Sequence, residues 1–438
     1  MSADTIHALA SGRPPSGVAV IRVSGPDVPR VVATLTGRAL APRRATLVAL
    51  RDDEGEVLDE VLAIHFPAPR SFTGEDVLEL HCHGGHAVTD AISRHLTSVS
   101  GLRPAEPGEF TMRAHRNGRI DLIEAERLGD LVAAETEAQR RLAVSDLGRR
   151  NARLYQGWRE RLLELRALIE AGLDFADEED APIDVSDEAV GRLDDLRTAM
   201  AAHLSRAEAT RIVREGLRVV LAGPPNAGKS SLLNALAGHD AAIVTDVPGT
   251  TRDVVEVPLD ILGHRIVVAD TAGLRDTDDA VERIGVERAR SRIETADLVL
   301  HLVPVGEPWP DEDLHVEPSR LLALRTKRDL APERLPGTEA EIAVSTVTGE
   351  GLDRLLRLLG RRAASASIRP DGDAHAPLVE RHAAHVRRAL DLLERAPPTH
   401  ELLAESVRLA ADEIGRITGA TDIEDVYGVI FSRFCMGK

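Results

Sequence analysis

The run Gly223-Pro-Pro-Asn-Ala-Gly-Lys-Ser230 combines the groups needed to grip a string of phosphates. Its glycines let backbone N–H groups curl inward, Lys229 supplies a mobile positive charge, and the Ser230 hydroxyl suits a Mg²⁺ ion. The run follows an apolar stretch, 217–222, and precedes a helical one starting near Ser231, which is where a phosphate cradle has to sit. A bare glycine-rich turn needs none of that context. Asn226, Ala227, Gly228, Lys229, Ser230 and Ser231 are therefore the expected phosphate contacts.

Further along, Asp270-Thr271-Ala272-Gly273 follows a predicted strand and places a carboxylate near that Mg²⁺ and a flexible glycine near the terminal phosphate. Upstream of it, the loop Thr245, Asp246, Val247, Pro248, Gly249, Thr250 and Thr251 supplies hydroxyls and carbonyls, with Thr251 the expected second protein ligand of Mg²⁺. Base choice is read from Thr326-Lys327-Arg328-Asp329, which resembles the Asn-Lys-x-Asp guanine motif. Asp329 can accept from two guanine N–H groups, and the Lys327 stem can cover the ring. Thr326 stands where Asn is usual, which should weaken the bracing of this loop more than it changes the base. Ser345 then occupies the place of a last base-contacting loop. GTP, with GDP as product, is the expected nucleotide.

Hydrolysis needs a positioned water. Ras-like switches place Gln directly after the Asp-x-x-Gly motif, but here Leu274 stands there and cannot orient water. Glu282, a short way downstream, is the available acid, although its surroundings by themselves read more readily as a solvated helix start. No arginine finger is evident. A potassium ion can deliver the same positive charge, held by the Asn226 side-chain oxygen and by carbonyls of the 245–250 loop.

These residues need a scaffold. Between residues 216 and 365, strands expected at 217–222, 254–261, 265–269, 297–303, 320–326 and 341–345 alternate with helices, the signature of a mostly parallel sheet in a Ras-like P-loop domain. Before it, 119–215 has helical period, with Leu162, Leu165, Ile169 and Leu173 at spacings of three and four. Helix returns over 366–438, so the α/β domain is inserted into a discontinuous helical one. Residues 1–118 form an N-terminal α+β domain with strands at 17–22 and 76–82 and helical stretches between them. The fold class is thus α/β plus α.

Composition narrows the setting. The formal net charge of −18 and an aromatic content of 2% argue against a globally basic or base-stacking nucleic-acid binder. No leader and no long apolar run is visible, so a cytoplasmic protein without membrane contact is expected. Cys82 and Cys435 make no disulfide framework. His81, Cys82, His83 and His86 look metal-like, but alternation along a strand sends Cys82 to the face opposite His81 and His83. Near the end, Cys435 reads either as a thiol with a chemical role or as a tail residue packed on its own helix.

Taken together, Pro225 to Asn234, Ala242 to Asp253 and Asp270-Thr-Ala-Gly-Leu-Arg275 look like the TrmE/Era group of GTPases. Outside the P-loop domain, Phe72-Thr-Gly-Glu-Asp-Val-Leu-Glu-Leu80, His83-Gly-Gly85, Pro107-Gly-Glu-Phe-Thr111, Arg113-Ala114, Asn117-Gly118, Asp121-Leu122 and Phe434-Cys-Met-Gly-Lys438 resemble the MnmE (TrmE) family of tRNA-modifying GTPases. The resemblance implies a homodimer that works with the flavoprotein MnmG (GidA) to install a (carboxymethyl)aminomethyl-type group at carbon 5 of the wobble uridine of certain tRNAs. A tetrahydrofolate derivative, the 5-formyl or 5,10-methylene form, would supply the one-carbon unit. By matching positions, Arg22, Glu79, Arg119 and Lys438 would contact the folate, Arg119 replacing the family's Lys. Glu282 would be the catalytic acid, Cys435 the thiol of the terminal Cys-x-Gly-Lys motif, and Asn226, Thr245, Val247 and Thr250 the potassium ligands. Pairing of the GTPase domains across that potassium would drive hydrolysis. The rival within the group is a ribosome-assembly GTPase, which usually carries a basic RNA-binding module absent here.

The Asp329 assignment is directly testable. Asp329→Asn should lower affinity for GTP relative to xanthosine triphosphate in a competition binding assay; an unchanged ratio would remove Asp329 as the base reader.

Overall fold

The computed structural model describes residues 4–145, 147–174, 185–243, 256–270, 290–310, 314–330, 342–368, 375–395, 399–421, 430–431 and 437. It divides into two compact units, Met1–Gly129 with Ala152–Ala181 and Ala396–Lys438, and Asp130–Asn151 with Pro182–Arg395. The expected combination of α/β and α structure is what these units contain.

In the first unit one sheet holds β1 (Thr5–Leu9), β2 (Ser16–Ser24), β3 (Thr46–Arg51), β4 (Val57–Phe66), β5 (Val77–Gly84) and β6 (Leu102–Pro104), in the order β3-β4-β5-β2-β1-β6. β1 and β6 are parallel; the other neighbours are antiparallel. Alternation sends Ala19, Ile21 and Val23 of β2, with Leu78, Leu80 and Cys82 of β5, to one face, where they are buried with apolar residues of α1 (Val28–Thr36) and α2 (His86–Ser98). On the opposite face, register aligns Ile64, Glu79, Arg22 and Ala8 in one cross-strand row and Leu47, Leu62, His81 and Val20 in the next. The region between residues 22 and 76 departs from the helical expectation. It does contain α1, but 46–66 forms the β3–β4 pair, with Val48, Leu50, Val61 and Ala63 pointing into the core.

Helix α3 (Glu109–Arg116) closes part of the open face, burying Phe110 with Ile6 and Ala105. It also carries a charge into the interior. Arg113, 3% exposed, donates to Asp4 Oδ1 at 2.9 Å, Glu109 Oε1 at 3.1 Å and Glu75 Oε2 at 3.2 Å. Glu75 accepts in addition from Ser24 Oγ at 2.7 Å, and Asn117 Nδ2 donates to the Thr73 carbonyl at 2.7 Å. The loop 71–76 is thereby tied to both α3 and β2.

Helical period is realised in α4 (Leu122–Val132), α5 (Glu137–Val144), α6 (Leu147–Asp174), α7 (Val185–Leu204) and α8 (Ala207–Glu215). Leu162, Leu165 and Ile169 are buried as their spacing requires, and α5 begins at a capping box made by Thr136 and Gln139. Among the described residues, no helix is long and apolar enough to cross a membrane.

The second unit contains β7 (Leu217–Ala222), α9 (Lys229–Ala237), β8 (Glu256–Ile261), β9 (His264–Asp270), β10 (Leu298–Pro304), β11 (Leu321–Thr326) and β12 (Ile342–Ala343), with sheet order β12-β11-β10-β7-β9-β8. All pairs are parallel except β8 with β9, which form a hairpin. Leu262 and Gly263 both have positive φ, 56° and 79°, as a two-residue turn of matching twist requires. Leu355, Leu359 and Ala363 of α10 (Leu352–Ala366) and Leu232 and Leu236 of α9 are fully buried in the core of this sheet. The chain continues as α11 (Glu380–Glu394) and α12 (His400–Thr418).

The Arg113 cluster sets a prediction. Arg113→Ala removes the cation beside the part-buried Glu75, while Arg103 still holds Asp4 and Glu109, and should lower unfolding stability by about 1–3 kcal/mol, read as an earlier transition in urea denaturation. A loss below about 1 kcal/mol, the range of an exposed ion pair, would show that the cluster is solvated.

Candidate functional site

The phosphate loop leaves β7 at Gly223, which has φ of 146° and lies against β10. A Cβ at that position would fall 2.2 Å from the Leu302 carbonyl oxygen, so the turn requires glycine. The loop passes through Asn226, whose φ is 61°, before α9 starts at Lys229. The helix therefore points its unpaired N–H groups, including those near Ser230 and Ser231, toward the loop.

Side chains then tie this loop to the neighbouring strand ends. The Lys229 ammonium donates to the carbonyls of Gly223 at 2.7 Å and Pro224 at 2.9 Å. Burial pushes its proton affinity below the usual lysine range while the charge of Asp270 pulls the other way. An anionic phosphate would favour the charged ammonium further. Ser230 Oγ donates to Asp270 Oδ2 at 2.7 Å, across from the end of β9. A hydroxyl and a carboxylate oxygen side by side are the hard donors that Mg²⁺ takes, so these residues fit that ion and would hold it beside the phosphates.

The segment expected to read the base is built from the next strands. Thr326 is 3% exposed and its hydroxyl donates to the Ala227 carbonyl at 2.6 Å. Thr326 thus ties the end of its strand directly to the phosphate loop. Lys327 has a left-handed φ of 57°, and the Arg328 N–H donates to the Val344 carbonyl at 3.1 Å. Ser345 Oγ donates to Asp329 Oδ1 at 2.6 Å and accepts from the N–H groups of Val347 and Thr348 at 3.2 and 3.1 Å. Ser345 therefore holds the carboxylate of Asp329 in place. Thr245 to Thr251, Thr271, Ala272, Gly273, Glu282, Cys435 and Lys438 lie outside the described residues.

A second polar site occupies the open face of the N-terminal sheet. Arg22 Nε and Nη2 both donate to Glu79 Oε1, at 3.1 and 2.8 Å, and the guanidinium sits 5.2 Å from the Phe72 ring and 5.7 Å from the Phe110 ring. The stem of Arg119 packs against Gly74 of the pinned loop. Glu79 Oε2 lies 3.8 Å from His81 Nε2, beyond hydrogen-bond distance. A carboxylate oxygen with no donor in bonding distance among the described residues, next to an arginine and two rings, fits the polar edge of a flat heterocycle such as a pterin. Gly437, with φ of 96°, seats on β1, where a Cβ would fall 2.0 Å from the Leu9 carbonyl oxygen. Leu9 adjoins Ala8, the register partner of Arg22.

Sequence reasoning missed Phe72, Phe110 and His81 as neighbours of the Arg22–Glu79 pair. Both rings stand inside motifs that were read, and the period-two phase of β5 would have put His81 beside Glu79. Cys82 is buried on the helix-covered face with its thiol donating to the Ala19 carbonyl at 3.4 Å, and burial followed by the charge of Asp59 pushes that thiol up. His83 instead bonds Asp59 at 2.7 Å. Among the described residues, no three His, Cys, Asp or Glu side chains converge as metal ligands.

A family model described as the GTP-binding protein TrmE N-terminus matches residues 5–119, and one described as the MnmE helical domain matches residues 122–435. The tRNA modification GTPase MnmE of Rhizobium meliloti (strain 1021) is 48% identical over 447 residues, 100% of each chain. The chain belongs to the MnmE family of tRNA modification GTPases. Another MnmE, from Sinorhizobium medicae (strain WSM419), is 48% identical over 99% of each chain. Among solved structures, the G domain of the T. maritima FeoB iron transporter is 27% identical, covering 34% of this chain and 98% of its own, with a TM-score of 0.24. Membership in the MnmE family makes the second-unit site that of a GTPase.

Thr326→Val keeps shape and removes the bond to Ala227. Guanine-nucleotide affinity should fall about 5- to 30-fold, the worth of roughly 1–2 kcal/mol for a buried carbonyl left without its donor. Isothermal titration with GDP checks this, and an unchanged affinity would leave the brace without a role in binding.

Proposed function

We propose that this protein, with the flavoprotein MnmG, installs a (carboxymethyl)aminomethyl group at carbon 5 of the wobble uridine, position 34, of certain tRNAs, with GTP hydrolysis gating the step. The observation that carries the reading is the pairing, in one chain, of a complete phosphate cradle with a separate Arg22–Glu79 site on an open sheet face. A bound tetrahydrofolate derivative would supply a carbon at the formyl or methylene level. Glu79 would accept from the heterocycle, Arg22 would hold the carboxylate and meet anionic groups, and Arg119 and Lys438 would bind the tail. Cys435 would serve the chemistry from the terminal motif.

The proposed division of labour follows the chain. Residues 1–118 bind folate and dimerise, 119–215 and 366–438 form the helical domain, and 216–365 form the GTPase domain. Support for dimerisation comes from the open face, where Leu47 and Leu62 pair across β3 and β4 at 63% and 47% exposure and Val18 is 59% exposed. Such a stripe is a reasonable contact surface for a second copy. In the GTPase domain, Lys229, Ser230, Thr251 and Asp270 would manage the phosphates and Mg²⁺, and Thr326, Lys327, Asp329 and Ser345 the guanine. Glu282 would position water. Asn226, Thr245, Val247 and Thr250 would hold K⁺, whose charge substitutes for an arginine finger. Cytoplasmic localisation accords with a tRNA substrate.

Mass spectrometry of wobble uridines from cells lacking this protein should show the modification lost; unchanged nucleosides would refute the assigned task. Hydrolysis should be faster in potassium than in sodium buffer, and Asn226→Ala should abolish that difference. Equal rates in the two salts would remove potassium from the mechanism.

A further inference from the structure

Helix α10 buries Leu352, Leu355, Leu356, Leu359 and Ala363 against the sheet, and its outer side carries Arg354, Arg357, Arg361 and Arg362, all exposed. Its 15 residues hold four arginines and one acid, Asp353, in a chain of net charge −18. Other described helices offset their arginines with acids one turn away. Arg140 and Arg141 meet Glu137, Arg166 meets Glu170, Arg211 meets Glu208, and Arg408 meets Glu405 and Asp412. On α10 the spacing does the opposite. Arg357 stands three residues after Arg354 and four before Arg361, so like charges are neighbours on one helix face, which costs stability. No acid stands three or four residues from Arg361 or Arg362 in the sequence. Arg362 Nη1 donates to the Ser319 carbonyl at 3.2 Å, a bond that orients the guanidinium without cancelling its charge. Glu350, just before the helix, lies 3.5 Å from Arg328.

We propose that this face of α10 docks the phosphate backbone of the tRNA substrate. An acidic enzyme that works on a polyanion needs a local cationic surface to meet it. The outer side of α10 gathers one, while the helices named above neutralise theirs. A guanidinium fork suits phosphate oxygens, which can accept two N–H groups from one arginine. The composition of the face favours a nucleic-acid backbone over an acidic protein. No exposed large hydrophobic side chain stands on α10, whereas a protein interface is built around a buried apolar centre. A row of phosphates requires only repeated cations, and its charge relieves the repulsion among Arg354, Arg357 and Arg361. Contacts of this kind hold the RNA in place without reading its sequence.

The inference rests on the tRNA reading of the function, and the test separates the two. Fluorescence anisotropy of a labelled, unmodified tRNA transcript is measured with the full-length protein between about 50 and 200 mM KCl. Arg354→Gln, Arg357→Gln and Arg361→Gln together should weaken binding about 10- to 100-fold, and the slope of log affinity against log salt should flatten by about 2 to 3. The loss should be the same for tRNAs of different anticodon. Lysine at the same three positions keeps the charge and should retain the wild-type slope. Arg140→Gln, Arg141→Gln and Arg408→Gln remove equal charge elsewhere and should leave binding unchanged. Basal GTP hydrolysis should be unaltered in every variant, which shows that each is folded. Absence of tRNA binding by the wild type would overturn the tRNA reading. Wild-type binding that the α10 glutamine variant keeps, or that the control variant loses equally, would overturn the role of α10 alone. So would loss of MnmG binding with tRNA affinity intact, which would assign the face to a protein.

Discussion

Parallel strands that bring their carboxyl ends to one edge of the sheet are the constraint on which the nucleotide site depends. Because β7, β9, β10 and β11 run parallel, Gly223, Asp270 and Thr326 come to the same edge from positions far apart in the chain, with Thr326 carried further out by its pairing to Pro304. Short side-chain bonds then finish what the sheet begins: Ser230 to Asp270 across β7 and β9, and Thr326 to Ala227 across the sheet. Reverse one of these strands and its pair cannot form. The ligand-binding edge of an open α/β sheet lies at its carboxyl ends for this reason.

The N-terminal sheet solves a different problem. An antiparallel sheet can bury one face and leave the other to carry chemistry, and here α1 and α2 take the apolar face. That leaves Arg22, Glu79 and His81 in adjacent rows on the other side. The Arg113 cluster supports them indirectly, fixing the loop that brings Phe72 against Arg22. A structural ion network and a polar site thus share one loop.

Much of this was legible from residues. The phosphate loop, the Asp270 motif and the base-reading motif each carry a local pattern whose chemistry is specific, and the strands around them are apolar enough to place. Less visible were β3 and β4, because apolar residues stand on both faces, Val48, Leu50, Val61 and Ala63 inward and Leu47, Ala49, Leu62 and Ile64 outward, so no period-two stripe marks them. The interior role of Arg113 was hidden for a related reason. A charged residue on a short helix reads as solvated until tertiary contacts supply three carboxylates around it. The bond from Thr326 to Ala227 was likewise hidden, since a motif names a residue type and not the distant carbonyl that it meets.

The Thr326–Ala227 bond also has a kinetic meaning. It joins the strand that precedes the base reader directly to the loop that wraps the phosphates, so neither half of the grip can open without loading the other. Departure of a bound nucleotide should then proceed as one concerted escape rather than base first and phosphates later, and the lifetime of the bound state becomes a property of the whole strand edge.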